Sequence, residues 1–173
     1  MKKKTMFWLI FALLAACANG TAQPGPQALA QLQPTKGSTA SGTATFTQRG
    51  DKVLVEAKLP GLTPNAEHGF HVHDKGDCSS GDGLSAGPHF NPFGKQHAQF
   101  TTPERHAGDL PALKADASGN ATVSFELDVI TVADGPASVI GRGLIVHAHP
   151  DDYTTQPTGN SGARIACAVI QRG

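Results

Sequence analysis

The stretch Lys52-Val53-Leu54-Val55-Glu56-Ala57-Lys58-Leu59 alternates apolar and polar residues, with Val53, Val55, Ala57 and Leu59 on one side. Successive side chains of a strand point to opposite faces, so this period of two marks a half-buried β-strand rather than a helix. Ala121 to Leu127 repeats the pattern, with Val123, Phe125 and Leu127 opposite Thr122, Ser124 and Glu126. Working outward, Leu29–Leu32, Gly42–Gln48, Gly69–His73, Gly143–His149 and Ala163–Ile170 read as further strands. Turn signals separate them: Pro60-Gly61, Asp82-Gly83, Ser118-Gly119-Asn120 and Asp134-Gly135-Pro136. No stretch of ten or more residues has convincing helical spacing, and there is no internal repeat. Many short strands joined by Gly/Pro turns predict an all-β antiparallel sandwich or barrel.

Composition narrows the function. The 173 residues suit one domain, and 14 Lys plus Arg against 14 Asp plus Glu give no net charge. A nucleic-acid binder would need a basic excess, so none is expected as partner. With 16% charged and 39% apolar residues the chain is no disordered polyelectrolyte, and 3 cysteines are too few for a disulfide-dense miniprotein.

The N-terminus reads as a targeting segment. Lys2, Lys3 and Lys4 precede an apolar run, Met6–Ala16, that is too short to span a bilayer. Leu14-Ala15-Ala16-Cys17 is similar to the lipobox of bacterial lipoproteins, in which the cysteine is acylated and becomes the new N-terminus. The alternative is ordinary cleavage at Ala16-Cys17-Ala18 or Gly20-Thr21-Ala22. The lipid anchor is favoured because it also accounts for the odd cysteine, and several acyl chains hold a protein on a membrane where one does not. The expected organisation is a signal over 1–16, a flexible tether over 17–27 and a folded domain over 28–173. Losing three lysines leaves 11 basic residues against 14 acidic ones.

Two stretches, Asp74–Lys114 and Pro150–Gly162, are too long for simple turns, and such loops are usually functional. The 8 histidines gather around them. His71 and His73 share one strand face, so both imidazoles can reach one ion, and His147 and His149 repeat the spacing. His89, His97, His106 and Asp109 lie in the first loop. One His-x-His pair is as often incidental as metal-binding; six or seven imidazoles and an aspartate around one loop system call for metal. Imidazole suits copper and zinc, and three histidines with a carboxylate suit tetrahedral zinc.

Five blocks carry a family resemblance: Gly69-Phe70-His71-Val72-His73, Ser85-Ala86-Gly87-Pro88-His89-Phe90-Asn91-Pro92, Glu104-Arg105-His106-Ala107-Gly108-Asp109-Leu110, Gly141-Arg142-Gly143-Leu144-Ile145-Val146-His147, and Gly159-Asn160-Ser161-Gly162-Ala163-Arg164-Ile165-Ala166-Cys167. In this order they resemble the copper/zinc superoxide dismutases, with a weaker likeness over Leu32–Phe46. The resemblance implies an eight-stranded antiparallel Greek-key sandwich or flattened barrel with two long functional loops. It implies copper on His71, His73, His89 and His147, and zinc on His89, His97, His106 and Asp109, with His89 bridging. It further implies Asp151 bound to His71 and His97 behind both metals, Arg164 at the open copper position to bind superoxide, and a Cys78–Cys167 disulfide; two free thiols are the alternative. An exported enzyme of the periplasm or cell envelope follows, with a homodimer among its possible assemblies.

His68 reads as a structural histidine, His149 as an exposed one, and Asp152 as a solvated neighbour of Asp151. The segment Cys78–His89 is longer than in eukaryotic members, with its cysteine placed early as in bacterial ones. Asp151–Ala163 holds no lysine, so Lys75 or Lys95 is expected to help attract substrate in place of the charged steering residues that many relatives carry there. Two rival functions remain: an exported copper or zinc buffer or chaperone, and a domain of the same fold without activity. The mature chain has no Met and no spare Cys pair for copper(I), and it keeps every ligand and Arg164, so the enzyme is favoured.

Overall fold

The computed structural model describes residues 25–173. The expected signal, Cys17 and most of the tether lie outside the described residues. There are ten strands: β1 (Gln27–Pro34), β2 (Gly42–Arg49), β3 (Lys52–Leu59), β4 (Glu67–His68), β5 (Phe70–His73), β6 (Leu113–Lys114), β7 (Ala121–Leu127), β8 (Gly143–His147), β9 (Arg164–Val169) and β10 (Gln171–Arg172). A short 3₁₀ turn, Leu84–Ala86, is the one helical element among the described residues. Eight strands form one antiparallel sheet in the order β5-β8-β9-β1-β2-β3-β7, with β10 beside β1. β4 and β6 pair separately. The sheet curls into a half-barrel, so residues of distant strands meet in one core: Phe46 of β2, Val55 of β3, Phe70 and Val72 of β5, Leu144 and Val146 of β8. The chain runs from β3 to the opposite edge at β5, returns to β7, and crosses again to β8, the Greek-key order the resemblance implies.

The alternation predicted in Lys52–Leu59 holds: Val53, Val55, Ala57 and Leu59 are buried, while Lys52, Glu56 and Lys58 are exposed. Leu54 is buried as well. β8 stops at His147, two residues short of the predicted end, where its pairing with β9 shifts register between Val146 and His147. β1 opens at Gln27, the last residue assigned to the tether, and the Pro26 carbonyl already accepts the Gln48 N–H at 2.9 Å. β4, β6 and β10 have two residues each, too few to show a period, and were not expected.

β5 lies at a sheet edge, and its open backbone groups recruit the first long loop. Val72 N–H donates to Gly108 O at 2.9 Å, Phe90 N–H to Val72 O at 2.8 Å, and Asp74 N–H to Pro88 O at 2.9 Å. An edge strand offers such groups to any chain that can approach. Gly108 permits the approach, since a Cβ there would lie 2.2 Å from Val72 O. Buried Phe90 and Leu110 anchor the returning loop in the core. Residues 89 and 109 are thereby delivered beside residues 71 and 73.

Candidate metal centre

On β5, Phe70 and Val72 point into the core, and His71 and His73 point to the other face. Ordinarily that face would be wet. Here the two long loops cover it, and His71, His73, His89, His97, His106, His147 and Asp109 are each 5% exposed or less. Their ligand atoms form two groups. In one, those of His71, His73, His89 and His147 lie within 4.8 Å of one another; in the other, those of His89, His97, His106 and Asp109 do. His89 belongs to both.

Hydrogen bonds allot the ring nitrogens. His71 Nε2 donates to Asp151 Oδ2 at 2.7 Å, and His97 Nε2 to Asp151 Oδ1 at 2.8 Å. His73 Nδ1 donates to Gly87 O at 2.8 Å, leaving Nε2 facing His147 Nε2 at 3.4 Å. His89 Nδ1 and His97 Nδ1 both lie 3.0 Å from Asp109 Oδ1. Four buried ring nitrogens have no hydrogen-bond partner: His68 Nε2, outside the two groups, and His71 Nδ1, His89 Nε2 and His106 Nδ1 within them. A buried polar atom without one is costly, so three converging on the same site point to an occupant that supplies the missing bonds.

Protonation follows from burial and charge. Burial first, then the neighbouring histidines, hold His73 and His147 well below the usual histidine value. Burial and His71 push His89 down to about 4. All three are therefore neutral near pH 7, the form that can ligate a cation. His97 differs: burial opposes its charge, but bonds to Asp109 and Asp151 outweigh it and raise His97 to about 9. Burial likewise disfavours both carboxylate charges, yet hydrogen bonds from histidines hold Asp109 and Asp151 well below the usual carboxylate range.

The two groups differ in access. A pocket of about 320 Å³ reaches His73, His89 and His147 and is lined by Gly162 and Arg164, while His97, His106 and Asp109 do not line it. Arg164 is half-buried at the pocket wall; Nη1 donates to Gly83 O at 2.6 Å and Nη2 to Gly87 O at 2.7 Å. Both carbonyls sit on a segment pinned to β9 by the disulfide Cys78–Cys167, Cα–Cα 5.9 Å. The thiol alternative is thus excluded. His68 is fully buried, with Nδ1 donating to His147 O at 2.8 Å; His149 and Asp152 are exposed. Lys95 is ion-paired with Glu104. Sequence reading missed Gln156, whose side chain clamps the backbone N–H and C=O of His97 at 2.9 and 2.8 Å and so ties the second loop to the first.

The profile described as Copper/zinc superoxide dismutase (SODC) matches residues 40–170. Superoxide dismutase [Cu-Zn] 2 of Aquifex aeolicus is 38% identical over 149 residues, covering 84% of this chain and 86% of its own. Superoxide dismutase [Cu-Zn] of Saccharomyces cerevisiae is 42% identical over 152 residues, covering 83% and 96%. The crystal structure of the clock protein EA4 superposes with a TM-score of 0.77 at 41% identity, covering 88% of this chain and 97% of that one.

Proposed function

The chain belongs to the copper/zinc superoxide dismutase family and is an oxidoreductase that disproportionates superoxide; on that premise we propose the residues that carry the reaction and the place where it runs. Copper is assigned to His71, His73, His89 and His147, the group the pocket reaches. Zinc is assigned to His89, His97, His106 and Asp109, of which His89 alone lines the pocket. The carrying observation is the trio of buried, partnerless ring nitrogens, one of them on the shared histidine. Three buried histidines with one carboxylate suit structural zinc, and a nitrogen-only group open on one side suits copper. Bound copper would supply one-electron oxidation of one superoxide to dioxygen and one-electron reduction of a second, with two protons, to hydrogen peroxide.

The protein groups do the rest. Asp151 holds the rings of His71 and His97 from behind, and such supports tune ligand orientation and basicity. His89 directs Nδ1 toward Asp109 and Nε2 toward the pocket side, where that nitrogen can take a proton and return it to the reduced substrate. Arg164 presents a fixed positive charge at the pocket wall, oriented by two carbonyls, to bind the anion. The exported, lipid-anchored reading supports a role against superoxide in the periplasm or at the cell envelope: the disulfide fits an oxidising compartment, and Cys17 follows a lipobox-like Leu14-Ala15-Ala16.

The test joins metal content to activity on one sample. Protein from Ala18 onward, made in an oxidising compartment and loaded with both metals, should hold one copper and one zinc per chain and accelerate superoxide decay. Tight metal binding without faster decay would favour a metal buffer. In the full chain, Cys17→Ala should abolish acyl labelling; unchanged labelling would remove the anchor assignment.

A further inference from the structure

A second cavity, of about 320 Å³, opens where β3 begins and β7 ends. None of the residues of the two metal groups lines it. Lys52 and the residues from Glu126 to Val129 wall it from the sheet, where Val53 pairs with Leu127. The facing wall comes from the first long loop and includes Phe100, Pro103 and Arg105.

Arg105 is the unusual member of that wall, being only 6% exposed. An arginine is rarely buried unless its charge is paired and its N–H donors are filled. Here Nη1 donates to Thr102 O at 2.9 Å. Nε, itself buried, has no partner among the described residues. Nη2 stands 3.9 Å from Asp128 Oδ1, beyond hydrogen-bond reach, and the Asp128 side chain is 70% exposed. Nε–H and one N–H of Nη2 point the same way from one edge of the guanidinium, the edge that takes both oxygens of a carboxylate in parallel. The other charges leave room for an anion. Lys52 is exposed and has no ion-pair partner among the described residues. Glu126 already faces Arg49 at 3.8 Å. Phe100, Pro103, Leu127 and Val129 give the cavity an apolar side.

We propose that this cavity binds a small organic carboxylate. Its two oxygens sit on Nε and Nη2 of Arg105 and its apolar body lies against Phe100 and Val129. Lys52 adds attraction, and Asp128 competes for the same edge of the guanidinium. Arg105 is joined directly to His106, whose N–H donates to Asp109 Oδ2 at 3.2 Å. An occupant therefore braces the segment between His97 and His106 from the side away from their ligand atoms, and it stabilises the folded protein by mass action. Recognition uses no metal, so the proposal stands or falls apart from the dismutase reading.

The experiment titrates the metal-loaded protein, its copper kept reduced to preserve NMR signals, with butanoate, with the uncharged counterpart butanamide, and with inorganic phosphate. Two quantities are read: the Arg105 Nε–H resonance and the melting temperature. Butanoate should shift the resonance with a Kd on the order of 1 mM, usual for so small a ligand, and should raise Tm. Butanamide should do neither. Asp128→Asn should tighten binding about two- to three-fold, the effect of one unit charge about 6 Å away in water, and Lys52→Gln should weaken it. Arg105→Lys keeps the charge, loses the paired donors, and should bind about ten-fold more weakly. If that variant fails to fold, Asp128→Asn and butanamide still decide the matter. No butanoate-dependent shift in the parent, an equal response to butanamide, phosphate bound in place of butanoate, or weaker binding by Asp128→Asn would each overturn the proposal.

Discussion

Gly159 stands where a single methyl group separates the support of the site from the site itself. Its φ is +66°, and a Cβ there would lie 1.7 Å from Asp151 Oδ1 and 2.5 Å from His97 Nε2. Those two atoms are the partners of the 2.8 Å bond that holds His97. Gly159→Ala therefore has two costs. Left-handed backbone with a side chain costs roughly 1–2 kcal/mol. The bond must also open, and hydrogen bonds to charged groups contribute roughly 1.5–3 kcal/mol. Together the metal-free protein should lose about 2.5–5 kcal/mol. Zinc affinity should fall about 10- to 100-fold, as is usual when a support behind a ligating histidine is lost. Chelator competition reads the affinity, and thermal melting of the metal-free protein reads the stability. The closest clash is with the Asp151 carboxylate, so Asp151→Ala should cause a similar loss of affinity, and adding Gly159→Ala to it should cost less than Gly159→Ala alone, with the backbone strain and the contact with His97 Nε2 remaining. Parental zinc affinity in Gly159→Ala, or fully additive losses in the double variant, would refute the reasoning.

Other consequences are as direct. Opening the disulfide, by Cys78→Ser with Cys167→Ser, releases a loop of 89 residues and should lower stability by about 4–5 kcal/mol in denaturant melts, with a matching drop in Tm. Arg164→Ala should slow superoxide decay and flatten its salt dependence, because the oriented charge at the pocket is lost; an unchanged low-salt rate would count against the assignment. The metal-free protein should be most stable close to pH 6.5–7. Below this range, unfolding frees His73, His89 and His147 to take protons that their sites refuse until pH falls toward about 4 for His89, so stability drops with pH. Above it, the charged His97 that stabilises the fold loses its proton as pH rises through about 9. Melting temperatures measured across this range should form a dome; a flat profile would contradict it.

Period-two alternation marks β3 and β7 in the bare sequence, and strand parity alone puts His71 and His73 on one face. What stays hidden depends on long-range approach. Nothing local in Phe90 or Gly108 says that both will bond to Val72, yet that contact is what sets His89 and Asp109 beside β5. Alternation carries β8 on to His149, but the register shift after Val146 ends it at His147, so His149 leaves the face its spacing suggests. Arg142 reads as part of a motif; its guanidinium lies 4.4 Å over the Phe90 ring while donating to Asp74, joining the residues that follow His89 and His73. The carbonyls that aim Arg164 are likewise backbone groups of glycines, which carry no side-chain signal.

β1 also acts as a ruler. Gln27 lies at the end where the chain enters the domain, and Pro34 pairs with Ala166 near Arg164. Seven steps of about 3.3 Å set these ends roughly 23 Å apart. For a chain leashed to a membrane through Cys17, as proposed, that span lets the pocket stand well clear of the lipid headgroups when the domain is held by its entry end. The anionic surface of the bilayer, whose field fades within a Debye length of about 8–10 Å, would not repel an arriving superoxide at that distance.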